Sequence, residues 1–148
     1  MIEKIEVTGL SALEDMLNEL AFKDAKRVLG KAAREAMIPV QLSVALNAGY
    51  DADNPDDHMR ENVKMNTKYG SKGEGRDTAV TIRVGFNKIH AQKAIAQEFG
   101  TEKQQADPFM RPALYNHRES AVQKFKDTLS EQIGKTQRKY ARQAAKGK

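Results

Sequence analysis

Four acids crowd one short stretch, Asp51, Asp53, Asp56 and Asp57, with His58 beside them. Alternating carboxylates of this kind open a calcium loop, in which oxygens wrap a hard cation. Such a loop needs Gly at its sixth position and Glu at its twelfth. Counted from Asp51, those places hold Asp56 and Asn62, so the pattern does not close. The three histidines, His58, His90 and His117, stand far apart, and none has a useful metal-ligating partner at i+3 or i+4. The chain has no Cys, which removes thiolate metal sites, thiol nucleophiles and disulfides. No Gly-x-Ser-x-Gly elbow is present. Glu98 and Asp107 are the remaining carboxylate pair, but nothing in the sequence sets the separation that acid–base work requires. Glu98 fits better as the partner of a basic group or as a cap on backbone donors in a turn. These residues predict a protein that is not an enzyme and has no metal or cofactor site.

Two further stretches could meet phosphate. Residues 70 to 77, Gly-Ser-Lys-Gly-Glu-Gly-Arg-Asp, are glycine-rich, but their spacing is not that of a phosphate-binding loop. A strand rather than a helix follows them, so no helix N-terminus is offered to an anion. They fit a hairpin tip, and Lys72 and Arg76 make it a candidate contact arm for assembly. The second stretch is the end of the chain. From residue 134 onward it carries Lys135, Arg138, Lys139, Arg142, Lys146 and Lys148 with no acid, against a chain total of +5, so the preceding residues sum to −1. A basic end can hold nucleic acid or another polyanion, or be the solvated end of a helix. No helix-turn-helix signature is present, and the aromatics do not cluster as on a base-stacking platform. What remains is sequence-independent phosphate contact. A small nucleic-acid-associated protein using this tail is the alternative to the reading developed below.

The elements that must position these residues follow from periodicity. The chain has 148 residues, enough for one core, and 39% hydrophobic residues with only 6% aromatics, so the core must be built largely from Ala, Leu, Val, Ile and Met. Residues 2 to 8 suit a short strand. Leu10, Leu13, Leu17 and Leu20 recur at helical spacing behind a Ser11 cap with Glu14 three residues on. A longer stripe, Phe22, Ala25, Leu29, Ala32, Ala36, Val40 and Val44, predicts a helix over about 23 to 48, kinked at Pro39 and closed by a left-handed Gly49. Strands are predicted over 61 to 69 and 78 to 86, because Val63, Met65 and Thr67, and then Val80, Ile82, Val84 and Phe86, alternate with polar residues. A short helical segment follows within 87 to 99. The last helix begins at or after Pro108, with Leu114, Ala121, Val122, Phe125, Leu129 and Ile133 as its stripe, extended by Tyr140 and Ala144. The predicted fold is α+β: a small antiparallel sheet packed against a long helix of the N-terminal half and a C-terminal helix. It forms one domain over 1–148, with a mobile basic tail from about 135. No signal peptide opens the chain and no run approaches the ~20 apolar residues of a membrane span, so a soluble protein made in the cytoplasm, without membrane contact, is expected.

The most specific stretch is Glu98-Phe99-Gly100-Thr101, a polar loop, and then Asp107-Pro108-Phe109-Met110-Arg111-Pro112-Ala113-Leu114. Gly100 suits a positive φ that ends the preceding element, Asp107 an N-cap, and Pro108 the first helical position. Phe109 suits an anchor, and Pro112 is tolerated only near a helix start. Arg111 is placed to pair with Glu98, in which case exchanging the two charges should restore what either single change loses. This block resembles the signature of a family of bacteriophage tail components named after gene product ten of a lambdoid phage. Gly9-Leu10 to Leu20 and the Ala-rich stretch over about 23 to 48 resemble the family's two opening helices. Its Asp-Thr-Gly-x-Leu-x-x-Ser motif has no counterpart here, where Asp56-Asp57-His58-Met59-Arg60-Glu61-Asn62 stands instead. The resemblance implies a structural protein of a phage or prophage neck or tail, which completes the tail or joins it to the head by ring assembly. It implies other neck and tail proteins as partners and a homo-oligomeric ring in the particle, a hexamer being favoured, with a monomer possible alone. The implied location is the virion, reached by assembly in the host cytoplasm. The contact elements it points to are the 70–77 hairpin, the 50–58 loop and the terminal helix.

Overall fold

The computed structural model describes residues 10–54, 57–70 and 80–147. The strand expected at 2 to 8, Asp56, and the hairpin tip with Lys72 and Arg76 lie outside the described residues. The elements in order are α1 (Ser11–Asn18), α2 (Phe22–Asn47), a 3-10 turn (Met59–Asn62), β1 (Val63–Tyr69), β2 (Val80–Phe86), α3 (Ala91–Phe99) and α4 (Met110–Lys146). The fold is α+β, as the periodicities predict.

The long helices α2 and α4 form the frame. With 26 and 37 residues they extend about 39 and 55 Å at 1.5 Å per residue. They run antiparallel. Val28 and Ala32 of α2 meet Leu129 and Ile133 of α4, and α1 closes this end with Leu17 and Leu20. At the other end Val40 and Val44 meet Phe109 and Ala113, together with Met59 and Ala94. Small residues dominate the facing stripes, Ala25, Ala32 and Ala36 against Ala113 and Ala121, which lets the two backbones approach. Of the stripe foreseen for α4, Leu114 and Phe125 pack from the rim and Tyr140 reaches the α1 end, whereas Ala144 is exposed. The stretch from Lys135 is the regular end of α4, with Thr136 buried in the frame.

Pro39, expected to kink α2, leaves it a single helix. Its missing N–H removes only the donor for the carbonyl four residues back. Ser11 is the first helical residue of α1 rather than its cap, a place held by Leu10. Gly49 is not left-handed, because Gly100 alone has a positive φ among the described residues.

β1 and β2 pair antiparallel from Val63↔Phe86 to Tyr69↔Val80. Val63, Met65, Thr67, Ile82, Val84 and Phe86 are half-buried, while Lys64, Asn66, Lys68, Thr81 and Arg83 are exposed, so the predicted alternation sets one face against α2. A two-stranded sheet is marginal alone in water. Here α2 grips its outer edge: Arg34 Nη1 donates to the Met65 carbonyl (3.2 Å) and to Thr67 Oγ1 (3.0 Å), and Gln41 Nε2 donates to the Val63 carbonyl (3.2 Å).

Candidate assembly junction

Gln97 and Glu98, the last full turn of α3, tie the ends of both long helices. Gln97 closes α2: its Nε2 donates to the Asn47 carbonyl (3.0 Å) and its Oε1 accepts from the Gly49 N–H (2.8 Å). The Asn47 carbonyl is one of those that the C-terminal end of a helix leaves without a partner. A Cβ on residue 49 would stand 3.0 Å from Gln97 Oε1, so glycine serves close approach here rather than a left-handed turn. Sequence reasoning passed over Gln97, and nothing local marks a glutamine that works 50 residues away.

Glu98 opens α4. Its Oε2 accepts from the N–H of Phe109 (2.7 Å) and of Met110 (2.9 Å), and its Oε1 accepts from the Arg111 N–H (3.0 Å) and from Arg111 Nε (2.8 Å). Three orphan donors of the first turn are thus satisfied by one carboxylate that also meets the positive end of the helix. Arg111 completes the clasp: Nη2 donates to the Glu98 carbonyl (3.3 Å), and the guanidinium lies 4.7 Å over the Phe99 ring. Burial pushes the Glu98 carboxyl up, but the Met110 and Phe109 N–H groups, then the Arg111 side chain and N–H, outweigh it and hold the group below its ordinary value. A buried carboxylate that accepts from four donors on its two oxygens is built as a structural cap.

The remaining residues of the block divide around this clasp. Gly100 has φ 76° and ψ 172°, a region essentially confined to glycine, and its N–H closes α3 on the Ala96 carbonyl (2.8 Å). Thr101 pairs with Gln104 through two backbone bonds and accepts the Lys103 N–H on its hydroxyl (3.3 Å), which makes the turn. Asp107 is not the N-cap of α4. Its backbone N–H donates to the Gln97 carbonyl (2.8 Å), its side chain is exposed, and Phe109 holds the cap position. Pro108 therefore precedes the helix instead of starting it, because capping comes from Glu98 across the loop. Phe109 is 3% exposed and lies 5.8 Å from the Phe86 ring, an anchor between sheet and helices. Pro112 is the third residue of α4, where no intrahelical donor is needed.

The other candidate groups do not converge on the clasp. Asp53 N–H bonds Asp51 Oδ1 in a local turn (3.1 Å). His58 stacks on Tyr50, with Arg60 on the same ring. His90 is buried; its Nε2 meets Asp57 Oδ2 at 3.2 Å, and among the described residues its Nδ1 has no partner. Asn62 and then His90, bonding Asp57, hold that carboxyl below its usual range. The resulting Asp57–Asn62–Asn87–His90 network pins the 3-10 turn to the start of α3. Among the described residues no three His, Asp or Glu side chains come together to hold a metal.

Two features face outward. Ile38, Leu42 and Leu46 repeat every fourth residue on α2 and are 46%, 58% and 73% exposed. Among the described residues, no hydrogen bond beyond the β1 ladder reaches the backbone of β2. No protein-family model matches this chain, and neither a curated protein nor a solved structure matches it.

Proposed function

We propose that this chain is a non-enzymatic structural subunit of a bacteriophage or prophage neck or tail, which completes the tail or joins it to the head by ring assembly. The observation that carries the reading is the block from Glu98 to Leu114. Its residue types resemble those of the tail-component signature, and Glu98, Gly100, Phe109 and Arg111 each have a part in joining sheet, α3 and both long helices. A subunit that must repeat around a ring benefits from such a junction, because closure depends on a fixed angle between its two contact surfaces. The exposed Ile38, Leu42 and Leu46 stripe and the edge of β2, unpaired among the described residues, supply surface suited to those contacts. The partners are other neck and tail proteins and further copies of the chain, a hexamer being favoured, and the place of action is the virion.

Size-exclusion chromatography with light scattering tests this, on the protein alone and mixed with phage tail-tube and neck proteins. A ring-sized assembly in at least one mixture is expected, lost in Leu42→Asp while the far-UV spectrum is kept. A strict monomer in every mixture overturns the reading.

A further inference from the structure

Helix α4 continues past its last packing contact with the described residues. Its last core residue is Tyr140, which joins the α1 end of the core, hydrogen-bonds Asp24 and accepts the Ala21 N–H (3.2 Å). Residues 141–146 are helical and exposed throughout. Lys135, Arg138, Lys139, Arg142 and Lys146 fall at helical offsets of 0, 3, 4, 7 and 11, which is one face. They border an open groove of about 460 Å³ along that side.

The face is short of counter-charge. Lys135 bonds Glu131, and Lys139 lies near Asp24. Among the described residues no carboxylate pairs with Arg138, Arg142 or Lys146, and no acid follows Glu131 in the sequence. Glu131 itself also has Lys31 and Lys124 nearby. Like charges at i and i+4 destabilise a helix slightly, and the core does not need these side chains.

Polyphosphate chemistry fits this face better than an acidic protein surface. Interfaces between proteins centre on large apolar or aromatic anchors, whereas the residues between these cations are Thr136, Gln137, Tyr140, Ala141, Gln143, Ala144 and Ala145, of which Thr136 is buried and Tyr140 packs against the core. A lone projecting helix, ~10–12 Å across, matches a major groove ~12 Å wide. From Lys135 to Lys146 the face spans about 16 Å, the axial rise of roughly five phosphates on one strand. We propose that this face of α4 binds the phosphate backbone of duplex DNA without regard to sequence. The proposal stands apart from ring assembly, since it concerns a different surface and can be tested on the chain alone.

Fluorescence anisotropy with a labelled duplex of ~30 base pairs of arbitrary sequence, between 50 and 200 mM KCl, provides the test. With about three phosphates neutralised, the slope of log K against log salt should be near −2.7, so binding weakens about 40-fold across that range. The double variant Arg138→Gln and Arg142→Gln should flatten the slope by about 2 without changing thermal unfolding. Lys64→Gln with Lys68→Gln, on the exposed face of β1, should leave the slope unchanged. Three results each overturn the proposal: no binding at 50 mM salt, an unaltered slope in the α4 variant, or competition by poly-glutamate as effective as that of DNA at equal charge. The last would assign the face to an acidic protein.

Discussion

Removing Glu98 should cost far more than removing Arg111, though the two form one ion pair. The pair joins Arg111 Nε to Glu98 Oε1 at 2.8 Å, but the carboxylate also serves three backbone N–H groups. Glu98→Ala strands those donors at the start of α4 and leaves a guanidinium without its counter-ion. Breaking a buried, charge-assisted network in this way costs about 3–5 kcal/mol, which lowers Tm by on the order of 10 °C in a chain of this size. Arg111→Ala leaves the carboxylate with its backbone donors, so about 1–2 kcal/mol is expected. Exchanging the two charges should not rescue, contrary to what a simple pair predicts, because an arginine at 98 brings more donors to a site that needs an acceptor. Urea unfolding followed by circular dichroism measures wild type, the two alanine variants and the exchange. A loss below about 1 kcal/mol in Glu98→Ala, or recovery of most stability in the exchange, would refute the capping argument. Acid supplies a second readout. The folded carboxyl lies below its ordinary value of 4.5, so its contribution is complete above that pH and is lost as pH falls through the folded value. Glu98→Gln should therefore be clearly less stable than wild type at neutral pH, and the gap should close in acid.

Three other changes probe the frame by the same unfolding assay. Gly100→Ala forces a side chain into a glycine-only conformation, with its Cβ 2.8 Å from the Ala106 nitrogen; a loss of about 1–3 kcal/mol is expected, and a neutral result would mean the turn can be rebuilt. Ile133→Ala empties a fully buried position where α1, α2 and α4 meet, for about 2–5 kcal/mol. Gln97→Ala removes both closing bonds at the end of α2 and should cost about 1–3 kcal/mol, with faster amide exchange at Gly49 as the local sign.

The frame was legible because it repeats. Valine and isoleucine alternate along β2, and small residues return every third or fourth place along α2, so each segment announces its buried face without help from the rest of the chain. The ends of the helices were not legible for the opposite reason. Sequence rules for capping are local: an acceptor at the N-cap, a glycine past the C-terminus. Applied here they chose Ser11, Gly49 and Asp107. None of those has the predicted role, because Leu10 and Phe109 occupy cap positions and Gly49 makes room for Gln97. The capping groups for α2 and α4 come instead from a third helix, 50 residues from Asn47 at one end and 11 from Phe109 at the other. The one local clue was the pair Pro108 and Pro112: they bracket a helix start, yet Phe109, the residue at the cap, has no acceptor side chain. A helix start without its own acceptor must borrow one, and the nearest acid set in an apolar segment, Glu98, was already the suspect for capping. The same two residues of α3 thus hold the C-terminal end of α2 and the N-terminal end of α4 together at a single place. Any change that loosens Gln97 or Glu98 should disturb the Ile38–Leu42–Leu46 stripe and the β2 edge together, so a loss of assembly in Glu98→Gln under conditions where the monomer stays folded would tie the junction to the function proposed for it.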